Sequence, residues 1–220
     1  MKRILSCILT IAAIVLFASP AGAVGPLAAI PVGSTVTYRV TSESDAPETG
    51  SQSATHYVQF DRVAVTQMNV AIDGAPSGAI TINSDGTPAI SQQLMKPLKP
   101  FFELGLLMRG APEPLADGAA WSTNLAIPIK DQTDNVPVVM SIVQEGSAGT
   151  SIVGRGSNDT SVQPGLRDFP ATVTVTSNIL LNAGQTLASA TTSVSVAVRV
   201  GKIRDKTKNF GSSWTIQQVQ

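Results

Sequence analysis

The sequence predicts a mainly β protein, an antiparallel sheet accompanied by one short apolar helix. Three observations carry that expectation. Apolar and polar residues alternate with period two along most of the chain, and β-branched residues dominate the alternating runs. Turn signals such as Asp73-Gly74, Ser84-Asp85-Gly86 and Asn182-Ala183-Gly184-Gln185 separate those runs. Strand signals also follow one another without intervening helices, which implies antiparallel pairing rather than a parallel α/β sheet.

The elements follow in order. Thr35 to Thr41 places Val36, Tyr38 and Val40 on one face and Thr and Arg residues on the other. Thr55 to Val65 is a second extended stretch, continued from Gln67 to Ile72. Ala79–Ile82 and Thr87–Ile90 flank a turn and read as a hairpin. Strands resume at Trp121–Ile129, Val136–Gln144 and Thr150–Gly154, and the stretch from Gly156 to Pro170 reads as a long loop rich in Gly, Ser and Asn. Ala171–Ser177, Leu187–Ile203 and Phe210–Val219 complete a count of nine to eleven strands.

Alternation breaks between residues 91 and 110, where Leu94, Met95, Leu98, Phe101, Phe102, Leu104, Leu106, Leu107 and Met108 crowd together. Pro97 and Pro100 argue against one continuous helix across this stretch. The signals favour a helix from Pro100 to Arg109. Proline suits the first helical position and Gly110 the position after the end. Glu103 and Arg109 then complement the helix dipole. Pro97-Leu98-Lys99-Pro100 has the PxxP pattern but reads as a bent approach to the helix. Such a rod is apolar nearly all round and should be covered on most sides.

The first 23 residues read as a secretory signal peptide rather than as part of the fold. Lys2 and Arg3 precede an apolar run from Ile4 to Ala18, and Ser19-Pro20-Ala21-Gly22-Ala23 supplies the small residues of a cleavage site. The run is about five residues short of the roughly 20 that a membrane-spanning helix needs. Cys7 precedes most of the apolar core, so it is not placed as a lipidation cysteine. Cleavage after Ala23 leaves a single domain of residues 24–220 that has no Cys, 13 basic and 15 acidic residues. An exported domain without disulfides relies on its core. At 197 residues it buries about 70% of its unfolded surface.

Composition excludes several chemistries. Charged residues make up 14% of the chain, with no basic excess, so a nucleic-acid surface has no support. With one His and one Cys in the whole chain, zinc, haem and thiol sites lack ligands, and no cofactor is expected. His56 would have to serve any Ser-His-Asp triad, yet no Gly-x-Ser-x-Gly elbow presents a serine. Asp131, Asp134 and Asn135 could offer oxygens to calcium, but they read as well as a polar turn, without EF-hand spacing. Asn158-Asp159-Thr160 is a glycosylation sequon by pattern alone. The chain is expected to be no enzyme.

An all-apolar helix between strands needs a concave sheet to cover it. A half-barrel therefore leads, with a sandwich or a closed barrel as alternatives. The signal segment, the long alternating strands and the Leu/Met/Phe helix together resemble the secreted half-barrel proteins of bacterial envelopes, the lipoprotein-carrier type. That resemblance covers architecture and carries over no functional residues. It implies a bacterial exported protein, periplasmic or secreted. Gly118-x-x-Trp121 recurs as Gly211-x-x-Trp214, read as two strand starts with a buried Trp each or as two related β units.

Two functions stay open. In the first, residues 94–109 cover an apolar cavity that admits a lipid or other greasy ligand, with Phe101, Phe102, Leu104 and Met108 lining it and Leu94 and Leu98 at its mouth. In the second, the helix only fills the core and the protein is a structural or interaction module of the envelope, with a protein partner. A large internal cavity would favour the first, a filled core with an exposed patch the second.

Overall fold

A computed structural model describes residue 25 and residues 27–46, 50–84, 86–90, 94–129, 132–146, 149–162, 169–200 and 206–219. The expected signal peptide, Cys7 and Asp131 lie outside the described residues.

Eleven strands form one antiparallel sheet. In chain order they are β1 (Thr35–Ala46), β2 (Gly50–Ala64), β3 (Gln67–Ile72), β4 (Ala75–Ile82), β5 (Pro88–Ala89), then β6 (Ala120–Ile129), β7 (Gln132–Gly146), β8 (Gly149–Val162), β9 (Phe169–Leu181), β10 (Leu187–Val200) and β11 (Lys206–Gln218). A helix, α1 (Met95–Met108), separates the two groups. The strand order is β5-β4-β3-β2-β1-β11-β10-β9-β8-β7-β6. The chain therefore steps outward from β1 to one edge, crosses to the opposite edge with α1, and steps back inward until β11 pairs with β1. Tyr38 opposite Gln218 and Asp45 opposite Gly211 mark that central seam.

The sheet is open, so neither a sandwich nor a closed barrel describes it, but it is strongly curved around α1. Laid flat, eleven strands would span about 48 Å. Yet one turn of α1 reaches both edges. A Cβ on Gly105 would stand 3.2 Å from Pro88 of β5. One and two residues further on, the Leu106 and Leu107 carbonyls accept hydrogen bonds from Thr123 and Trp121 of β6. A helix is about 10 Å across with its side chains, so it fills the gap between the edges of a trough. Gly154 and Gly156 of β8 help the sheet curl. They lie opposite Met140 and Val138 of β7. A Cβ on Gly154 would collide with the Met140 sulfur and lie 3.2 Å from Ser177 Cβ of β9, and one on Gly156 would lie 2.9 Å from a Val138 methyl. Without those side chains, β7 and β9 close over β8.

The inner face is apolar. Val36, Tyr38, Val40, Val58, Phe60, Met68, Val70, Ile80, Leu125, Val136, Val138, Met140, Ile152, Val173, Val175, Ile179 and Ile216 are all buried, and every second residue between them along the strands faces outward. This is the period-two pattern of the sequence converted into one buried face.

Several expectations change. The helix starts at Met95, five residues before the expected Pro100, so the segment read as a bent approach is helical. Pro97 falls in the first turn, where a backbone N–H has no intrahelical partner to lose. Pro100 gives up one helix hydrogen bond, and the burial of Leu98, Phe101 and Leu104 on the same rod offsets it. Glu103 then sits in mid-helix rather than at the dipole's positive end. Gly110, at φ +80°, ends the helix as expected. The expected loop from Gly156 to Pro170 is mostly strand. β8 runs on to Val162 and β9 begins at Phe169, because Ser, Asn and Thr alternate there on an exposed sheet surface. Asp134 and Asn135 belong to β7 rather than to a turn. Gly211 and Trp214 lie inside β11 rather than at its start, so the second Gly-x-x-Trp opens no strand.

The lower end of the trough is fastened by a buried cation. Arg62 of β2 is 7% exposed. Its guanidinium donates to the carbonyls of Ala28 and Ile30, to Val65 O at 2.6 Å and to Ala64 O at 3.3 Å. The rigid fork thereby ties the turn holding the buried Leu27 and Ile30 to the β2–β3 hairpin. Arg62→Ala is expected to lower stability by about 2–3 kcal/mol, because one buried and three part-buried carbonyls lose a charged donor. Arg62→Lys should recover less than half of that, since one ammonium cannot span both segments. Urea unfolding of the three proteins checks both statements.

Candidate ligand-binding site

The trough and its helix form the candidate site. Of the six residues expected to line it, Leu94, Leu98, Phe101, Leu104 and Met108 are buried and Phe102 is half-buried. Phe101 is the centre of the packing. Its ring lies 4.9 Å from Phe60 and 5.4 Å from Tyr38, each edge to face, and Tyr38 and Phe60 are 6.1 Å apart. Such T-shaped pairs contribute about 0.5–1.5 kcal/mol each beyond area burial. Leu94 packs toward Gly78 of β4, where a Cβ would stand 3.4 Å from its methyl. Leu98, Leu104 and Leu107 have no accessible surface, so no water-sized space adjoins them. Leu94 and Leu98 are buried at the N-terminal part of α1.

Polar side chains of the edge strand β6 and the central strand β11 hold the helix. The Trp121 indole of β6 donates to the Leu107 carbonyl at 2.8 Å, and the Thr123 hydroxyl donates to Leu106 O at 2.9 Å. Across the trough, the Trp214 indole of β11 donates to Glu103 Oε2 at 2.6 Å. Glu103 also meets Lys99 Nζ at 3.4 Å, an i,i+4 pair that leaves the carboxylate side chain 13% exposed. Both Gly-x-x-Trp segments thus place a tryptophan against α1, one from the edge strand β6 and one from the central strand β11. Sequence spacing had singled out the two segments, but the shared target exists only once the sheet has curved.

Among the described residues, two buried side-chain atoms lack a hydrogen-bond partner, whereas the buried Ser177 and Thr192 hydroxyls pair with each other at 3.0 Å. The Tyr38 hydroxyl is buried and has no hydrogen-bond partner. Burial pushes its phenol pKa well above the ordinary value. Asp134 of β7 accepts from Asn158 Nδ2 of β8 at 2.8 Å, and its second oxygen is buried and unpaired. Neither feature had a signal in the sequence, where Tyr38 counted as one more apolar residue and Asp134 as part of a turn.

Elsewhere, His56 hydrogen-bonds Asp73 at 2.8 Å on an exposed part of the sheet. Asp73 also accepts from the Tyr57 N–H at 2.8 Å. An open groove of about 520 Å³ lies where β1 ends and β2 begins, beside the middle of β10 and β11, lined by Ser44, Ser53, Ser193 and Ser212 with Glu43 and Asp45. Its hydroxyls and carboxylates contrast with the apolar trough. Among the described residues, no cluster of three or more His, Cys, Asp or Glu side chains could hold a metal, and no helix is long and apolar enough to cross a membrane.

No protein-family model matches the chain, and no curated protein matches it. A solved structure does: "Lipid-protein interactions in lipovitellin", with 10% sequence identity and a TM-score of 0.54. The match covers 87% of this chain and 25% of lipovitellin, so the chain spans about a quarter of that protein's length. At this identity the likeness shows the fold alone.

Trp121→Phe and Trp214→Phe are each expected to lower stability by about 1–3 kcal/mol, since the first leaves the Leu107 carbonyl without its indole donor and the second leaves Glu103 Oε2 without one. The double variant should show coupling, because both tryptophans hold one rigid rod. Thermal unfolding of the four proteins measures the cycle. The His56 contact, followed by the Tyr57 N–H, holds the Asp73 carboxyl below its ordinary value. A depressed folded pKa contributes stability above the unfolded value, near pH 4, that fades as pH falls through the folded one. Amide protection at the Asp73-Gly74 turn, taken relative to the intrinsic exchange rate at each pH, should therefore fall below about pH 4, and Asp73→Asn should flatten that dependence.

Proposed function

We propose that the protein is an exported, non-enzymatic binder of a lipid or other apolar ligand, and that α1 is a plug which the ligand displaces from the inner face of the sheet. The observation that carries this reading is the way the helix is held. α1 shares no backbone ladder with the sheet. It rests on apolar contacts, including the Phe101 cluster, and on side-chain hydrogen bonds from Trp121, Thr123 and Trp214. Lifting it would leave a continuous sheet with an apolar concave face, which is the surface an acyl chain needs. The lipovitellin likeness supports the same reading, because that structure concerns lipid–protein interactions.

Export follows from the signal pattern of residues 1–23, and a periplasmic or secreted location goes with it. The single His and the lack of a nucleophile motif support a binder rather than an enzyme.

Titration with a fluorescent long-chain fatty acid, combined with hydrogen exchange, tests this reading. Saturable binding should raise amide exchange across residues 95–108 by at least about tenfold, because lost packing lowers the local opening energy. Amides of β8 to β10 should keep their protection. Absence of binding, or binding that leaves exchange in α1 unchanged, would contradict the proposal.

A further inference from the structure

Tyr38 occupies a position where phenylalanine would pack as well. Its ring makes two edge-to-face contacts, with Phe60 and Phe101. Its hydroxyl is buried and contributes no hydrogen bond. Its surroundings are apolar: Val36 and Val40 flank it on β1, and Val58 and Phe60 of β2 and Ile216 of β11 share its face. Gln218 stands opposite on β11, half-buried, and makes no bond to the hydroxyl. A buried unpaired hydroxyl is unfavourable in the closed state. It becomes favourable once an acceptor reaches it.

The helix controls that access. Phe101 covers Tyr38 and Phe60 together, so withdrawing α1 uncovers the aromatic pair and the hydroxyl in one step. A ligand taking the place of Phe101 would lay its chain on Phe60 and the valines, with one polar partner within reach. We infer that the Tyr38 hydroxyl hydrogen-bonds the polar end of the ligand, and that the ligand is a single-chain amphiphile with one compact oxygen group, an alcohol or a carboxyl. A bare hydrocarbon leaves the hydroxyl unpaired. A headgroup with several polar sites leaves most of them unpaired against the apolar wall. This inference rests on the apolar-ligand reading above and specifies the chemistry of its ligand.

The test compares the full-length protein with Tyr38→Phe, using dodecan-1-ol, dodecanoic acid and n-dodecane as probes. Calorimetry should show the variant losing about tenfold in affinity for the alcohol and the acid, the worth of one net hydrogen bond. Affinity for dodecane should be unchanged, and the melting temperature unchanged or raised. Equal losses for all three probes, no loss for any, or a lowered melting temperature would overturn the assignment of the hydroxyl. If wild type binds none of the probes, the apolar-ligand reading fails and this inference with it. If wild type binds but the variant does not discriminate, this inference alone fails.

Discussion

The organising constraint is a crossing. After β5 the chain stands at one edge of the sheet, and its next strand, β6, forms the other edge. Every later strand depends on where that crossing is made, because β7 to β11 step inward from β6 until β11 meets β1. The helix makes the crossing on the inner side. There it removes its own apolar surface and the sheet's from water together, the dominant favourable term in folding. Gly105 lets the rod approach Thr87 and Pro88, and Trp121 and Thr123 receive it at the other edge. The curvature, the helix and the edge contacts are therefore one arrangement seen from three sides.

The same arrangement accounts for the two tryptophans of the interior. Tryptophan can lie in a core only if its N–H finds an acceptor. Trp121 and Trp214 meet that requirement on the helix itself, at a backbone carbonyl and at Glu103. Glu103 in turn is tolerable inside a covered trough because Lys99 and an indole both face it. Tyr38 meets no such requirement, and that contrast separates it from the polar groups that serve the closed structure.

Much of the fold was legible in the sequence because a half-buried antiparallel strand writes its burial directly as alternation. Val36, Tyr38 and Val40 read correctly, as did the Asn182 turn, the apolar character of α1 and its end at Gly110. What misled was local chemistry overruled by context. Pro97 and Pro100 looked like breaks, yet one falls where its missing N–H is harmless and the other is compensated by burial. The Gly, Ser and Asn residues after Gly156 looked like a loop, yet on the outward face of a long strand they need only avoid burial. The burial of the apolar helix residues was legible. Their partners were not, because the contacts of Tyr38, Phe60, Trp121 and Trp214 with α1 depend on strands far apart in sequence meeting across a curved sheet.

The central claim is that α1 leaves the trough when a ligand enters, and a reversible tether tests it most directly. A Cβ on Gly105 would lie 3.4 Å from Thr87 Cα, close enough for Thr87→Cys and Gly105→Cys to form a disulfide between the helix and the residue before β5. Removal of the expected signal segment takes away the chain's own Cys7, so the new pair would be the only one. The account predicts that the oxidised protein keeps its fold but fails to bind a long-chain fatty acid, and that reduction restores binding. Equal binding by the oxidised and reduced forms would contradict it.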